Sequence, residues 1–119
     1  MSFKEALHFL KNKGVSSDKG VLKIRKYAII GSELALKQAI LLNGPCVAGL
    51  PVYNSNSCQF WENDRRFDFL GGHAICIVGW NKDGFLIRNS WGENFCSKGY
   101  TLLPYDDFSS FMEIWTIID

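Results

Sequence analysis

The chain has 119 residues, 47% of them apolar and 21% charged, and its formal net charge is +1. This composition predicts a single small globular domain over residues 1–119 and excludes a disordered chain. A net charge so close to zero argues against charge-driven binding to nucleic acid or to a membrane surface, and no run of about 18 apolar residues predicts a membrane span.

The N-terminal third is predicted to contain two helices with a strand between them. Ser2 and Glu5 have the spacing of a capping box, and apolar residues follow them at helical spacing. Within residues 21–30, Leu22 and Ile24 alternate with Lys23 and Arg25, which indicates a strand over this range. The second helix is predicted to begin at Ser32, a good N-cap, and to end at Gly44.

After residue 45 the pattern changes to short strands and turns. Helices followed by a run of strands predict an α+β fold with an antiparallel sheet of about five to six strands. Residues 73–80 are almost wholly apolar, as in a buried central strand, and the turn at 81–84 makes residues 85–88 the hairpin partner. The other predicted strands are 46–53, 99–103 and 111–118, with a long loop at 54–71.

This hairpin brings two polar residues together at its open end. His73 begins the first strand and Asn89 follows the second, so their side chains are predicted to lie within hydrogen-bond reach, roughly 2.6–3.2 Å. An imidazole changes charge near neutral pH, and an amide oxygen beside it fixes its tautomer. Trp91 would shield that hydrogen bond from water. By spacing alone, a structural histidine and a turn asparagine are the more common explanation of the two residues.

Three short strings extend this pattern: Gly-Pro-Cys-Val at 44–47, Gly-His-Ala-Ile at 72–75 and Asn-Ser-Trp-Gly at 89–92. Their order and register resemble the papain family of cysteine peptidases. The resemblance covers residues 32–108 well and residues 3–31 weakly. It implies the C-terminal half of such an enzyme, which bears the histidine and the asparagine, and a partial papain-like fold built on the barrel-like subdomain.

The resemblance implies roles for five residues and for no cofactor or metal ion. His73 matches the general base of the family, Asn89 matches the residue that orients it, and Trp91 matches the indole that covers both. Gly49 and Ala74 fall where the family lines the pocket for the substrate residue two before the scissile bond. Ordinary strand packing is the competing explanation for Gly49 and Ala74.

The nucleophile of the family has no counterpart in the sequence. In papain-like enzymes the catalytic cysteine precedes the histidine by roughly 130–150 residues, whereas only 72 residues precede His73. Cys46 and Cys76 lie in apolar runs, so we expect them to be inert core side chains, with Cys76 on the face of its strand opposite His73.

The other two cysteines lie outside the apolar runs. Reduced thiols in an intracellular compartment are the default expectation, although a disulfide involving Cys58 or Cys96 is the alternative. Cys96 stands where the family usually has glycine, and Phe95 stands for a tryptophan. These departures suggest relaxed demands near the site.

Two functions are compatible with the sequence. In the first, another chain or a missing N-terminal segment supplies the cysteine, and the complete site hydrolyses peptide bonds. In the second, the chain is a catalytically inactive papain-like fold used as a structural or binding subunit of a larger assembly, for example a particle or virion. Both predict a protein partner on the face that the missing half would cover. No signal peptide is visible, so an intracellular or particle location is expected.

Overall fold

The computed structural model describes residues 2–18, 20–53, 57–63 and 66–118. Within these ranges, no helix is both long and apolar enough to cross a membrane. The helices are α1 (Phe3–Asn12), α2 (Glu33–Asn43) and a short 3₁₀ helix (Tyr105–Ser110). The strands are β1 (Val15–Ser17), β2 (Gly20–Leu22), β3 (Lys26–Ile29), β4 (Cys46–Tyr53), β5 (Phe69–Trp80), β6 (Gly84–Arg88), β7 (Tyr100–Pro104) and β8 (Glu113–Ile118).

Both long helices begin at the predicted serine caps. The Ser2 side chain accepts a hydrogen bond from the backbone N–H of Glu5, and Ser32 accepts one from Ala35, each at 3.1 Å. Each bond satisfies an amide that the first helical turn leaves without a partner. At the far end of α2, Gly44 has φ 87°, a conformation that favours glycine and ends the helix as expected.

The main sheet has six strands in the order β3-β8-β4-β5-β6-β7, and every neighbouring pair is antiparallel. β1 and β2 form a separate two-stranded sheet. The prediction of an α+β fold with five to six antiparallel strands is therefore confirmed. β5, whose C-terminal part is the predicted apolar strand 73–80, lies between β4 and β6 in the interior of the sheet.

The run at residues 21–30 was predicted as one strand, and this prediction is wrong. β2 pairs with β1, whereas β3 pairs with β8. Between them the backbone N–H of Ile24 donates to the carbonyl of Leu10 at 3.2 Å, and that of Arg25 donates to Ile118 at 2.8 Å. The chain therefore changes partners in mid-run, which an alternating pattern of side chains does not reveal.

Two further boundaries differ from prediction. β5 begins at Phe69 rather than at residue 73, because its pairing with β4 continues back to Tyr53. The predicted loop 54–71 is shortened accordingly, and its residues 54–56 and 64–65 lie outside the described residues. β8 begins at Glu113, because the preceding residues complete the turn after the 3₁₀ helix.

The two faces of β4 and β5 have different surroundings. The closed face, which points toward α2 and the core, carries Cys46, Ala48 and Leu50 on β4 and His73, Ile75 and Ile77 on β5. The open face carries Val47, Gly49, Ala74 and Cys76, with Arg88 beside them on β6. The buried core is formed by Leu36, Ala39, Cys46, Ala48, Leu50, Phe60, Trp61, Ile75, Ile77, Phe85, Ile87, Leu103 and Ile114.

Candidate active site

The hairpin of β5 and β6 brings His73 and Asn89 together as predicted. Cys76 pairs with Arg88, so Asn89 extends the next strand on the side of the sheet that carries His73. The Nε2 atom of His73 lies 2.6 Å from Oδ1 of Asn89. The predicted hydrogen bond is therefore present, at the short end of the normal range.

The surroundings of Asn89 fix the direction of this hydrogen bond. Its Oδ1 also accepts the backbone N–H of Ser90 at 2.7 Å, which identifies the atom as the amide oxygen. His73 must therefore donate from Nε2, and its Nδ1 keeps a free lone pair that can accept a proton. Asn89 is 5% exposed, and its Nδ2 is buried without a hydrogen-bond partner among the described residues.

An aromatic shield, composed of Phe60, Trp91 and Phe95, covers the same pair. The indole of Trp91 stacks on His73, with ring centroids 5.0 Å apart and an interplanar angle of 22°. The ring centroid of Phe60 lies 4.7 Å from that of Trp91. The ring of Phe95 lies 5.2 Å from that of Trp91, nearly perpendicular to it. Excluding water from one side of the imidazole strengthens its hydrogen bond to Asn89.

The structure also brings the predicted pocket residues together. Gly49 and Ala74 are directly paired across β4 and β5 on the open face. They line a groove of about 480 Å³ beside His73, together with Phe3 and Met112. A Cβ atom added to Gly49 would lie 3.4 Å from the ring of Phe3, so the glycine leaves room for that ring. The result is an apolar groove beside the imidazole of His73.

A second groove, of about 450 Å³, lies along the same open face. Its lining includes Val47, Cys76, Arg88 and Asn89. Cys76 is half-buried there, so its predicted position in the core is wrong, although its predicted place on the face opposite His73 is confirmed. The reason is alternation: Ile75 and Ile77 fill the closed face and turn the residue between them outward.

The remaining cysteines divide into one buried thiol and one disulfide. Cys46 is fully buried, as predicted, and burial raises the pKa of its thiol. Cys58 and Cys96 form a disulfide, so the expectation of reduced thiols is wrong for these two residues. The alternative expectation, a disulfide involving Cys58 or Cys96, is the one that the structure contains, because the fold places the two side chains side by side.

Sequence reasoning missed Phe60 and did not identify which cysteines pair. Phe60 is 1% exposed and contacts the indole of Trp91, but it comes from a loop with no recognisable motif. The disulfide joins that loop to the segment after Trp91, across 38 positions of sequence. The only available signal was that Cys58 and Cys96 lie outside the apolar runs while the other two cysteines lie within them.

Comparison with known sequences identifies cysteine proteases as relatives. The model of the family described as papain family cysteine protease matches residues 5–112, which covers all of the well-matched range 32–108 and nearly all of the weakly matched range 3–31. The probable cysteine proteinase 224L of Invertebrate iridescent virus 6 is 26% identical over 129 aligned positions, which cover 76% of this chain and 29% of that protein. The cathepsin B-like cysteine proteinase 3 of Ostertagia ostertagi is 34% identical over 82 positions, which cover 62% and 46%. The chain thus spans less than half the length of these two relatives.

Comparison with solved structures supports the same fold. Xylellain, a cysteine protease from Xylella fastidiosa, superposes with a TM-score of 0.77 at 23% identity, over 97% of this chain and 60% of that one. The Carica candamarcensis cysteine protease CMS1MS2, solved in complex with E-64, gives a TM-score of 0.69 at 18% identity, over 96% and 66%. At these identities the likeness concerns the fold alone.

Proposed function

Because the chain belongs to the papain family of cysteine proteases, we propose that it supplies the histidine–asparagine half of a peptidase active site. The observation that carries this proposal is the 2.6 Å hydrogen bond from His73 to Asn89 beneath the stacked indole of Trp91. This is the arrangement of a general base, its orienting residue and a hydrophobic cover.

In this proposal His73 acts through its Nδ1 atom. That nitrogen takes the proton of a cysteine thiol, and the resulting thiolate attacks the carbonyl carbon of the scissile peptide bond. The imidazolium then gives its proton to the leaving amine. Asn89 holds the ring in the tautomer that leaves Nδ1 free, and the low dielectric beneath Trp91 strengthens that interaction.

We infer that the thiol comes from outside these 119 residues, from another chain or from an N-terminal segment of a longer product. The positions of the four cysteines support this inference. Cys58 and Cys96 are bonded to each other, Cys46 is buried, and Cys76 lies on the face of β5 opposite His73. None of these positions presents a free thiol to Nδ1 of His73.

The open face supports both a partner and a substrate. Gly49 and Ala74 lie at the floor of the apolar groove beside His73, which suits one apolar side chain of a peptide. The rest of the open face, around Val47 and Cys76, is half-buried and suits the surface of the protein that brings the cysteine. Gly49 and Ala74 therefore remain our candidate substrate-binding residues.

The second candidate function is that of an inactive subunit in a larger assembly, such as a particle. The observation that favours it is the loop after Trp91, where Phe95 and Cys96 replace residues usual in the family and Cys96 is tied into a disulfide. In that case His73 and Asn89 would be retained without chemistry. An intracellular or particle location remains a prediction under either function.

The test uses native material and a thiol-directed peptidyl epoxide. The epoxide is added to the native material, and the chain is then isolated under mild conditions. The masses of everything that accompanies it are determined. We expect the label on a cysteine outside these residues, and we expect its loss in His73→Ala but not in His8→Ala, the matched change at the other histidine of the chain. An unlabelled chain in a large assembly would favour the inactive subunit. A label on one of its own four cysteines would contradict the inferred division of the site.

A further inference from the structure

The Cys58–Cys96 disulfide lies on the outer side of the aromatic shield. Cys58 is two residues before Phe60, and Cys96 directly follows Phe95, so the bond joins the two segments that supply the shield. Both cysteines are exposed, which leaves the bond open to attack by a thiol in solution. The covalent link is thus positioned to control how firmly the two segments are held together.

The segment that carries Phe60 has other anchors. The hydroxyl of Thr101 donates to the carbonyl of Cys58 at 3.0 Å, and the backbone N–H of Tyr53 donates to the carbonyl of Phe60 at 3.0 Å. The indole N–H of Trp61 donates to the carboxylate of Asp107 at 3.1 Å, and Trp61 is buried. Loss of the disulfide would leave this segment in place.

The segment at residues 91–98 is held more weakly. Its backbone hydrogen bonds, from Phe95 to Gly92, from Gly99 to Phe95 and in both directions between Ser97 and Tyr100, are all local, and most of its residues are exposed. Cys96 has φ 47° and Lys98 has φ 53°. Both values lie in the left-handed region, which residues other than glycine, asparagine and aspartate rarely adopt. Such a conformation persists where its surroundings hold it, and the bond to Cys58 does so at Cys96.

We propose that the Cys58–Cys96 disulfide is a redox-controlled clamp that keeps the indole of Trp91 stacked on His73. Cys58 and Cys96 are on this view positioning residues, which act on His73 through Trp91. When the disulfide is reduced, the segment 91–98 relaxes and uncovers the hydrogen bond between His73 and Asn89. The segment at Phe60 stays seated, so the change is confined to one side of the shield.

The reduction itself is a thiol–disulfide exchange with a dithiol. One thiolate of the dithiol attacks a sulfur of the Cys58–Cys96 bond and forms a mixed disulfide, and the second thiol then displaces the protein sulfur. Cys58 and Cys96 gain two electrons and two protons, and the dithiol leaves as its own disulfide. The reverse reaction with an oxidised dithiol restores the clamp.

The consequence for catalysis rests on the proposed function. A cysteine nucleophile reacts only in its reduced form, whereas the shield over His73 is complete only when Cys58 and Cys96 are oxidised. The assembled site would therefore be most active at intermediate reduction potentials of the solution. Such potentials are low enough to keep the nucleophile reduced and high enough to keep the Cys58–Cys96 disulfide oxidised. A strongly reducing solution would lower its activity even though the nucleophile is intact.

The test needs neither a partner nor a substrate, because the chain contains only two histidines. In the oxidised protein, the ring current of the stacked indole should shift the ring C–H proton signals of His73 upfield of those of His8 in an NMR spectrum. His8 lies on α1 and contacts Asn12, so it serves as the internal reference. Dithiothreitol is expected to move the His73 signals toward those of His8 and to leave His8 unchanged.

Two variants separate the cross-link from the backbone strain. Cys96→Ser removes the bond and keeps a side chain in the left-handed region, so it should reproduce the reduced spectrum. Cys96→Gly removes the bond but tolerates that conformation, so the His73 signals should move only part of the way. The proposal is overturned if the signals of His73 stay in place in reduced protein and in both variants.

Backbone amide spectra of β4 and β5 provide the second readout. They should stay unchanged on reduction, because those strands are held by the core. Collapse of these signals together with those of His73 would mean that the disulfide supports the whole domain, and it would also overturn the clamp. Neither result depends on finding the cysteine partner, so a failure of the proposed peptidase function would be seen separately.

Discussion

The closed and open faces of β4 and β5 are formed by the same two strands but differ in how deeply their side chains are buried. On the closed face Leu50 and Ile77 are completely buried. On the open face Val47 and Cys76, which directly precede Ala48 and Ile77 in sequence, remain half-buried and line a groove. The difference shows that one side of the sheet forms a finished core, while the other keeps two grooves on its surface.

The largest expected effect comes from removing side-chain volume on the closed face. Ile77→Ala should lower the free energy of unfolding by about 2–5 kcal/mol, because it leaves a cavity in the core. Cys76→Ala, one position earlier on the open face, should lower it by well under about 1 kcal/mol. Urea denaturation of the two variants measures both values. Equal losses would mean that the two faces are packed alike.

Chemical modification gives a second comparison between two thiols. Iodoacetamide should alkylate Cys76 at least about tenfold faster than Cys46 in the native protein, which corresponds to about 1.4 kcal/mol of protection. Cys46 is fully buried, and burial raises the pKa of its thiol, so both access and thiolate formation oppose the reaction. Peptide mass analysis after timed quenching measures the two rates, and similar rates in folded protein would contradict this assignment of the faces.

A smaller effect is expected where α2 begins to cover the closed face. Ser32→Ala removes the side-chain acceptor for the N–H of Ala35 and should cost about 0.5–2 kcal/mol of stability. Ser32→Gly, the matched variant, should cost only about a few tenths of a kcal/mol, because glycine is itself tolerated at an N-cap. Thermal unfolding of the two variants measures the difference. The absence of any loss in Ser32→Ala would show that the cap does not stabilise this cover.

The smallest expected effect is the pH dependence that Cys46 contributes. Burial raises the pKa of its thiol above the ordinary value of 9.0, so the folded chain holds this proton more tightly than the unfolded chain does. The contribution to stability is therefore complete below pH 9 and declines as the pH rises further. Denaturation of the wild type and of Cys46→Ala at several values above pH 8 isolates this decline, which should be absent from the variant.

The sequence predicted the parts of the fold that depend on local pattern. The caps at Ser2 and Ser32 and the pairing of His73 with Asn89 follow from residue types at short spacing, and the structure contains all three. The partner change within residues 21–30 depends on which distant strand supplies each hydrogen bond, and local alternation carries no such information.

The same limit applied within the site. Trp91 was expected to cover His73 because it follows Asn89 by two residues, whereas Phe60 reaches the indole from a distant loop. Likewise, Cys76 was assigned to the core because its whole strand is apolar. An apolar run gives no indication of which face of a strand is covered by the core, so the assignment required the structure.

The position of β8 in the sheet has a kinetic consequence. This strand is the latest of the described strands along the chain, yet it lies between β3 and β4. During synthesis β4 must therefore keep one edge unpaired until residues 113–118 have left the ribosome, and an apolar edge of that kind recruits other chains. Because pairing between residues so distant in sequence also slows the search for the native state, we expect a slow-folding, aggregation-prone nascent chain whose risk ends when β8 is inserted.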